Sequence, residues 1–238
     1  MIRIACAIFD LDGVLTSTTA EHFQAWSMLF LKHFKIELDP KLESLTKGVS
    51  RMSSLEVLLS HYQIDVSDDK KKRLANEKNR YYKHLIQSFD EGNLLPGAMR
   101  LLEVLKEREI KIALASASKN SGVLLNRLKI EAYFDYVVNP SRIKGKPHPD
   151  IFIKAQKHFG LKAAQCIGFE DAIAGIEAIK RARMYAIGVG FEALDKADLI
   201  VESLPQLTDK LLDRILEGKQ VHGRQRTSSS KNCTQSPH

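Results

Sequence analysis

Short, uninterrupted apolar runs recur along this chain, spaced so that a helix can lie between most neighbours: Ile4 to Phe9, Ile110 to Ala115, Tyr136 to Val138, Cys166 to Phe169, Tyr185 to Val189 and Leu199 to Val201. A run that does not alternate with polar residues marks a strand covered on both faces, as in a parallel sheet. Between the runs the apolar residues take a helical period: Ala98, Leu101, Leu102 and Leu105, then Phe152, Ala155 and Phe159, then Ala172, Ile176 and Ile179. Strand and helix in alternation predict an α/β fold with a Rossmann-like, doubly wound, mainly parallel sheet.

From Thr16 to about residue 90 the strand-like runs stop. Phe23, Trp26, Phe30 and Phe34 form one helical stripe, and Leu55, Leu58, Leu59 and Tyr62 form another. The spacing predicts a helical cap over residues 16–90, inserted after the first strand of a core made from residues 1–15 and 91–218. Gly92, Asn93, Pro96 and Gly97 supply the second break. The run Lys70-Lys71-Lys72-Arg73 reads as a solvated helix face. Residues 219–238 are Ser-rich and hold no acids, with Val221 as their one aliphatic residue, so they are expected to form a flexible basic tail.

Charge narrows the function classes. The chain of 238 residues carries +7, but Lys219, Arg224, Arg226 and Lys231 account for four of those charges, which leaves residues 1–218 at +3. That excess is small for a nucleic-acid-binding body, and a nucleic-acid partner using the tail as an arm ranks low. Cys6, Cys166 and Cys233 are too few and too scattered for a disulfide framework or a metal cluster. No apolar run approaches the roughly 18 residues of a membrane span, and no signal-peptide pattern follows Phe9. A cytoplasmic protein with no membrane partner is expected.

The chemistry gathers where strands end. Asp10-Leu11-Asp12-Gly13 closes the first run, and residues two apart on an extended segment project to one side, so both carboxylates can face one ligand. Such a motif can also be a plain turn. Against that, Ser116 follows the second run, Lys146 the third and Glu170-Asp171 the fourth, and in an open α/β sheet these tips converge on one crevice. A carboxylate approaching a phosphate meets repulsion of about 4 kcal/mol at about 4 Å in an effective dielectric near 20. A divalent cation and a lysine reverse that sign. Asp10, Asp171 and Glu170 offer hard oxygens suited to Mg²⁺, while Lys146 and Ser116 can hold phosphoryl oxygens. Asp12, if enclosure raises its pKa, can protonate a leaving oxygen. The set points to covalent phosphoryl transfer through an aspartate.

Asp10 to Thr16, Ser116 to Asn120, Lys146-Pro147 and Gly168-Phe169-Glu170-Asp171 resemble the four motifs of the haloacid dehalogenase superfamily, spread over most of residues 1–200. The resemblance implies Asp10 as nucleophile, Asp12 as acid/base, Ser116 and Lys146 on the phosphoryl group, and Mg²⁺ on Asp10, the Asp12 carbonyl, Glu170 and Asp171. Within that superfamily His22 and Trp26, Lys47-Gly48-Val49-Ser50-Arg51, and Ala115 to Asn120 resemble the β-phosphoglucomutase family. This implies interconversion of β-D-glucose 1-phosphate and glucose 6-phosphate through glucose 1,6-bisphosphate, with small sugar phosphates as the partners; a monomer is expected separately. Arg51 and Asn120 would then meet the second phosphate, with Thr18, His22, Trp26, Lys47, Gly48, Ser54, Lys78 and Ala117 completing the substrate site. From the residues alone Trp26, with the phenylalanine stripe, reads first as plain cap core, and Lys47 and Lys78 can be solvated surface charges. A sugar-phosphate phosphatase on the same scaffold is the alternative.

Overall fold

The structure, a computed structural model, describes residues 2–46, 50–190, 194–219 and 221–225. Its centre is a sheet whose described strands are β1 (Cys6–Phe9), β2 (Lys111–Leu114), β3 (Tyr136–Val137), β4 (Cys166–Glu170), β5 (Tyr185–Val189), β6 (Leu199–Val201) and β7 (Gly223–Gln225). They lie in the order β3-β2-β1-β4-β5-β6-β7, and every pairing is parallel.

Alternation along β1 shows how the sheet is covered on both faces. Ala7 and Phe9 join one apolar cluster, while Cys6 and Ile8 join the other. The first cluster is completed by α5 (Ala98–Glu107), α6 (Ser121–Arg127) and α9 (Asp209–Leu216), the second by α7 (Asp150–His158) and α8 (Ile173–Arg181). The strand order reverses direction at β1, which puts the crevice of a doubly wound sheet at the tips of β1, β2 and β4.

Between β1 and β2 the chain builds α1 (Thr19–Phe34), α2 (Glu43–Thr46), α3 (Arg51–His61) and α4 (Asp68–Leu85). Trp26, Phe30, Leu55, Leu58 and Leu59 from the two sequence stripes pack with Leu74 and Ala75 of α4 into a separate apolar cluster. Ser50 and Ser67 cap α3 and α4 with their side chains. Asp68 and Asp69 occupy the first turn of α4 and pair with Lys71 and Lys72, so most of the basic run is a solvated, locally compensated helix start. The two links to this insert run side by side: Thr16 bridges Asp12 and Leu94, and Thr16 Oγ1 donates to the Asn93 carbonyl at 2.7 Å.

The basic tail needs a correction. Gly223–Gln225 pairs with β6 as β7, and Val221 is buried against the sheet with its carbonyl accepting from the Tyr185 hydroxyl. A strand at a sheet edge forms through backbone hydrogen bonds, which side-chain polarity does not reveal. Residues 226–238 lie outside the described residues, as do Lys47 and Gly48.

Candidate active site

Each strand tip delivers one group to the crevice. The Asp10 N–H donates to the Phe169 carbonyl at 3.0 Å, which extends the β1–β4 ladder by one step and fixes the carboxylate beside Glu170. Lys146 Nζ donates to Asp10 Oδ1 at 2.6 Å and to Glu170 Oε1, joining three elements that are far apart in sequence. Burial alone would lower the Lys146 pKa, but the two carboxylates outweigh it and hold the ammonium above its ordinary value. Burial pushes the Glu170 carboxyl up to about 7, with Lys146 opposing and Asp10 and Asp171 adding to the rise.

Two glycines let the acids pack this closely. A Cβ on Gly13, which has φ +79°, would meet the Asp171 carboxylate at 1.9 Å, and one on Gly175 would meet Glu170 at 1.9 Å. Asp10, Glu170 and Asp171 are each at most 8% exposed, so three carboxylates share a small volume, and Lys146 pairs with Asp10 and Glu170. This donor set suits Mg²⁺. Among the described residues no three metal-binding side chains form a closed cage, and Mg²⁺ characteristically takes one or two carboxylates and fills its other positions with water and phosphate oxygens. Asp10, the Asp12 carbonyl and Asp171, with Glu170 behind them, are the residues that would hold it. Bound there, the ion would neutralise the phosphoryl charge.

Asp12 faces the links to the insert. Its Oδ1 accepts from the Thr18 N–H at 2.6 Å and its Oδ2 from the Thr18 hydroxyl at 3.0 Å. Burial, opposed by the Thr18 N–H and reinforced by the charge on Asp10, lifts its pKa to about 6. Thr18 is the residue before α1, so this carboxylate is tied directly to the start of the insert. Tyr82 continues the chain, donating to the Thr18 hydroxyl at 3.3 Å and stacking on His22 at 4.0 Å.

Above these acids the insert supplies positive charge. Arg51 opens α3, where the helix dipole disfavours a cation, so its placement serves an anion better than it serves the helix. Lys78 is 2% exposed, with Nζ 2.6 Å from His22 Nδ1 and over the rings of Trp26 and Tyr82. Burial, with Arg51 nearby, lowers its pKa to about 7 against a weaker opposing pull from Asp12. Burial likewise lowers that of His22 to about 3, helped by Lys78 and Arg51. The folded pKa of Lys78 thus lies below its unfolded value of 10.5. The resulting penalty, on the order of a few kcal/mol, is full below about pH 7 and disappears as pH rises to 10.5. Lys78→Met is therefore expected to raise the thermal midpoint at pH 6, with the gain shrinking toward pH 10. A gain independent of pH would mean that the ammonium carries no such penalty.

Every described candidate borders one cavity of about 530 Å³ between sheet and insert. Several of them also make bonds within its wall. Thr18 is committed to Asp12, Lys78 to His22, and the Ser54 hydroxyl to the Ser50 carbonyl at 3.1 Å. Trp26 is 1% exposed in the apolar cluster of the insert. These four, expected as substrate contacts, border the cavity and are at the same time bonded or packed within its wall. His22 is held on the same wall. Arg51, Ser116, Ala117 and Asn120 line the cavity too, with Lys119 of the same motif, and Asn76 and Tyr82 join them there from outside the sequence motifs. For Tyr82 a signal existed: it lies one turn after Lys78 on α4.

This is a doubly wound α/β protein of the kind that gathers its chemistry at the strand tips beneath a helical insert. The chain belongs to the haloacid dehalogenase-like hydrolase family, whose profile matches residues 4–183. It is 43% identical to a β-phosphoglucomutase of Bacillus subtilis over 86% of this chain and 92% of that protein. A crystal structure of β-phosphoglucomutase from Clostridium difficile superimposes with a TM-score of 0.84 at 41% identity, covering 90% and 98% of the two chains. A phosphorylated carbohydrates phosphatase of Thermotoga maritima is 33% identical over 76% and 83%.

Proposed function

We propose that this chain interconverts β-D-glucose 1-phosphate and glucose 6-phosphate by way of an aspartyl-phosphate enzyme and glucose 1,6-bisphosphate. The observation that carries the reading is the cavity with two cationic ends: Lys146 beside Asp10 on the core wall, and Arg51 at the start of α3 on the insert. A phosphatase acting on a monoester needs only the first. A bisphosphate that must turn end for end needs both, and similarity to the β-phosphoglucomutases supports the same choice.

In the forward step an Asp10 oxygen bonds to phosphorus as the bond to the sugar oxygen breaks, and Asp12 gives that oxygen a proton. Lys146 and Ser116 hold the phosphoryl oxygens. In the return step another sugar hydroxyl attacks the same phosphorus and yields its proton to Asp12. The cap, residues 16–90, excludes water while it is seated on the core and releases the bisphosphate when it opens. Because Thr18 grips both oxygens of Asp12, the acid is freed for proton transfer by the movement that reseats α1. We further infer that the chain is a monomer in a reducing cytoplasm, where Cys6 and Cys166 stay free.

Supplying β-glucose 1-phosphate, Mg²⁺ and catalytic glucose 1,6-bisphosphate tests the reading: glucose 6-phosphate is the expected product. Inorganic phosphate in its place identifies a phosphatase. Arg51→Ala is expected to cut mutase turnover about 30-fold or more, since it strips one partner from a desolvated charge pair, and to cut hydrolysis of a small aryl phosphate far less. Equal losses would remove Arg51 from the second phosphate site.

A further inference from the structure

Helix α4 meets the rim of the core at Asn79, whose Oδ1 accepts a 2.8 Å hydrogen bond from Nδ2 of Asn120. Asn120 is the residue before α6 and only 5% exposed, yet its side chain makes no bond to that helix. Asparagine at this position ordinarily turns its oxygen back onto a helix N–H. Here the amide is turned across to the insert instead. The loop leading to it is already held by its own hydroxyls: Ser118 N–H donates to Ser116 Oγ, and Asn120 N–H to Ser118 Oγ, each at 3.2 Å. The Asn79 bond is therefore not needed to fix the loop backbone.

What the bond does fix is the face that the amide shows. A carboxamide has two N–H donors and one oxygen, and either face can point into a site. With one N–H committed to Asn79, the NH₂ edge is set toward the insert, and the second N–H is left for an acceptor in the cavity that Asn120 lines. We propose that Asn79 is a positioning residue for the substrate's second phosphate: it orients the Asn120 amide as a donor, and it does so from the insert, so the donor is set when the insert is seated. The proposal rests on the phosphomutase reading, in which Asn120 meets that phosphate. It adds a residue that contacts no substrate atom and acts only through its neighbour.

A double-mutant cycle on the full-length protein tests it. Asn79→Ala is expected to raise KM for β-glucose 1-phosphate about five-fold, the scale of one hydrogen bond, with a smaller change in kcat. Asn120→Ala should raise KM at least as much. Adding Asn79→Ala to Asn120→Ala should raise it no further, because the group through which Asn79 acts is gone. A merely structural role would make the two losses additive, and that result overturns the proposal, as does a KM within two-fold of wild type in Asn79→Ala. Asn79→Ser, whose hydroxyl is too short to reach Asn120, should reproduce the alanine result and stands in for it if that variant does not fold. If the wild-type protein releases inorganic phosphate instead of glucose 6-phosphate, the mutase reading falls, while the same cycle run on the affinity for glucose 1,6-bisphosphate, which carries both phosphates, still decides the role of Asn79.

Discussion

Asp10→Asn is expected to lower turnover of β-glucose 1-phosphate by about 10⁴-fold or more, with the thermal midpoint little changed. The size follows from removing the one group that forms the covalent intermediate: an amide in place of a carboxylate has no anionic oxygen to attack phosphorus. The preserved fold follows from the surroundings. Asparagine matches the shape of aspartate, the backbone N–H keeps its bond to the Phe169 carbonyl, and Lys146 keeps Glu170 as a charged partner. Removing the charge at position 10 also relieves Glu170, whose carboxyl Asp10 helps to push upward. Steady-state assay beside a thermal melt separates lost chemistry from lost structure, and incubation with bisphosphate labelled on phosphorus should leave label on the wild-type protein and none on the variant. Substantial turnover by a folded Asp10→Asn protein would end the case for an aspartyl phosphate.

The sequence made the floor of this site readable and left its roof partly hidden, for a physical reason. Strand tips in a doubly wound sheet converge whatever the details of packing, so Asp10, Ser116, Lys146 and Glu170 could be placed together from the position of each after an apolar run. The interior strands β5 and β6 appear with the limits their apolar runs suggest, since burial on both faces leaves an unbroken signal. Strand β7 left no such signal because an edge strand is held by its backbone. The roof depends on which face of α4 meets α1. Lys78 beside His22, Tyr82 beneath Thr18 and Asn79 against Asn120 all follow from that packing, and a helix with basic residues on nearly every turn does not announce it. The buried lysine is open to reading as solvated for this reason: lysine is seldom enclosed, and here the rings of Trp26 and Tyr82, the imidazole of His22 and the charge of Asp12 make the place tolerable.

Asp12→Asn should separate substrates by their leaving groups. A sugar oxygen leaves poorly unless it is protonated, so the variant is expected to lose about 10² to 10⁴ in the rate at which β-glucose 1-phosphate or the bisphosphate phosphorylates the enzyme. An aryl oxygen needs little help, and formation of the aspartyl phosphate from an aryl phosphate should slow far less. The wild-type pH profile carries the same information. With a carboxyl raised to about 6, chiefly by burial, the proton needed by a poor leaving group is present below about pH 6 and withdrawn above it. The phosphorylation step with sugar phosphates should accordingly decline through that region as pH rises, and the return step, which needs Asp12 as a base, should rise through it. Each cycle needs both steps and the slower one limits, so turnover has an optimum where neither form is scarce. In Asp12→Asn both limbs assigned to this group should disappear while the fold is kept, because an amide oxygen can still accept from the Thr18 N–H that now holds the carboxylate. Were aryl and sugar phosphates to suffer equally, the carboxyl at position 12 would be serving the architecture of the link to α1 rather than moving a proton.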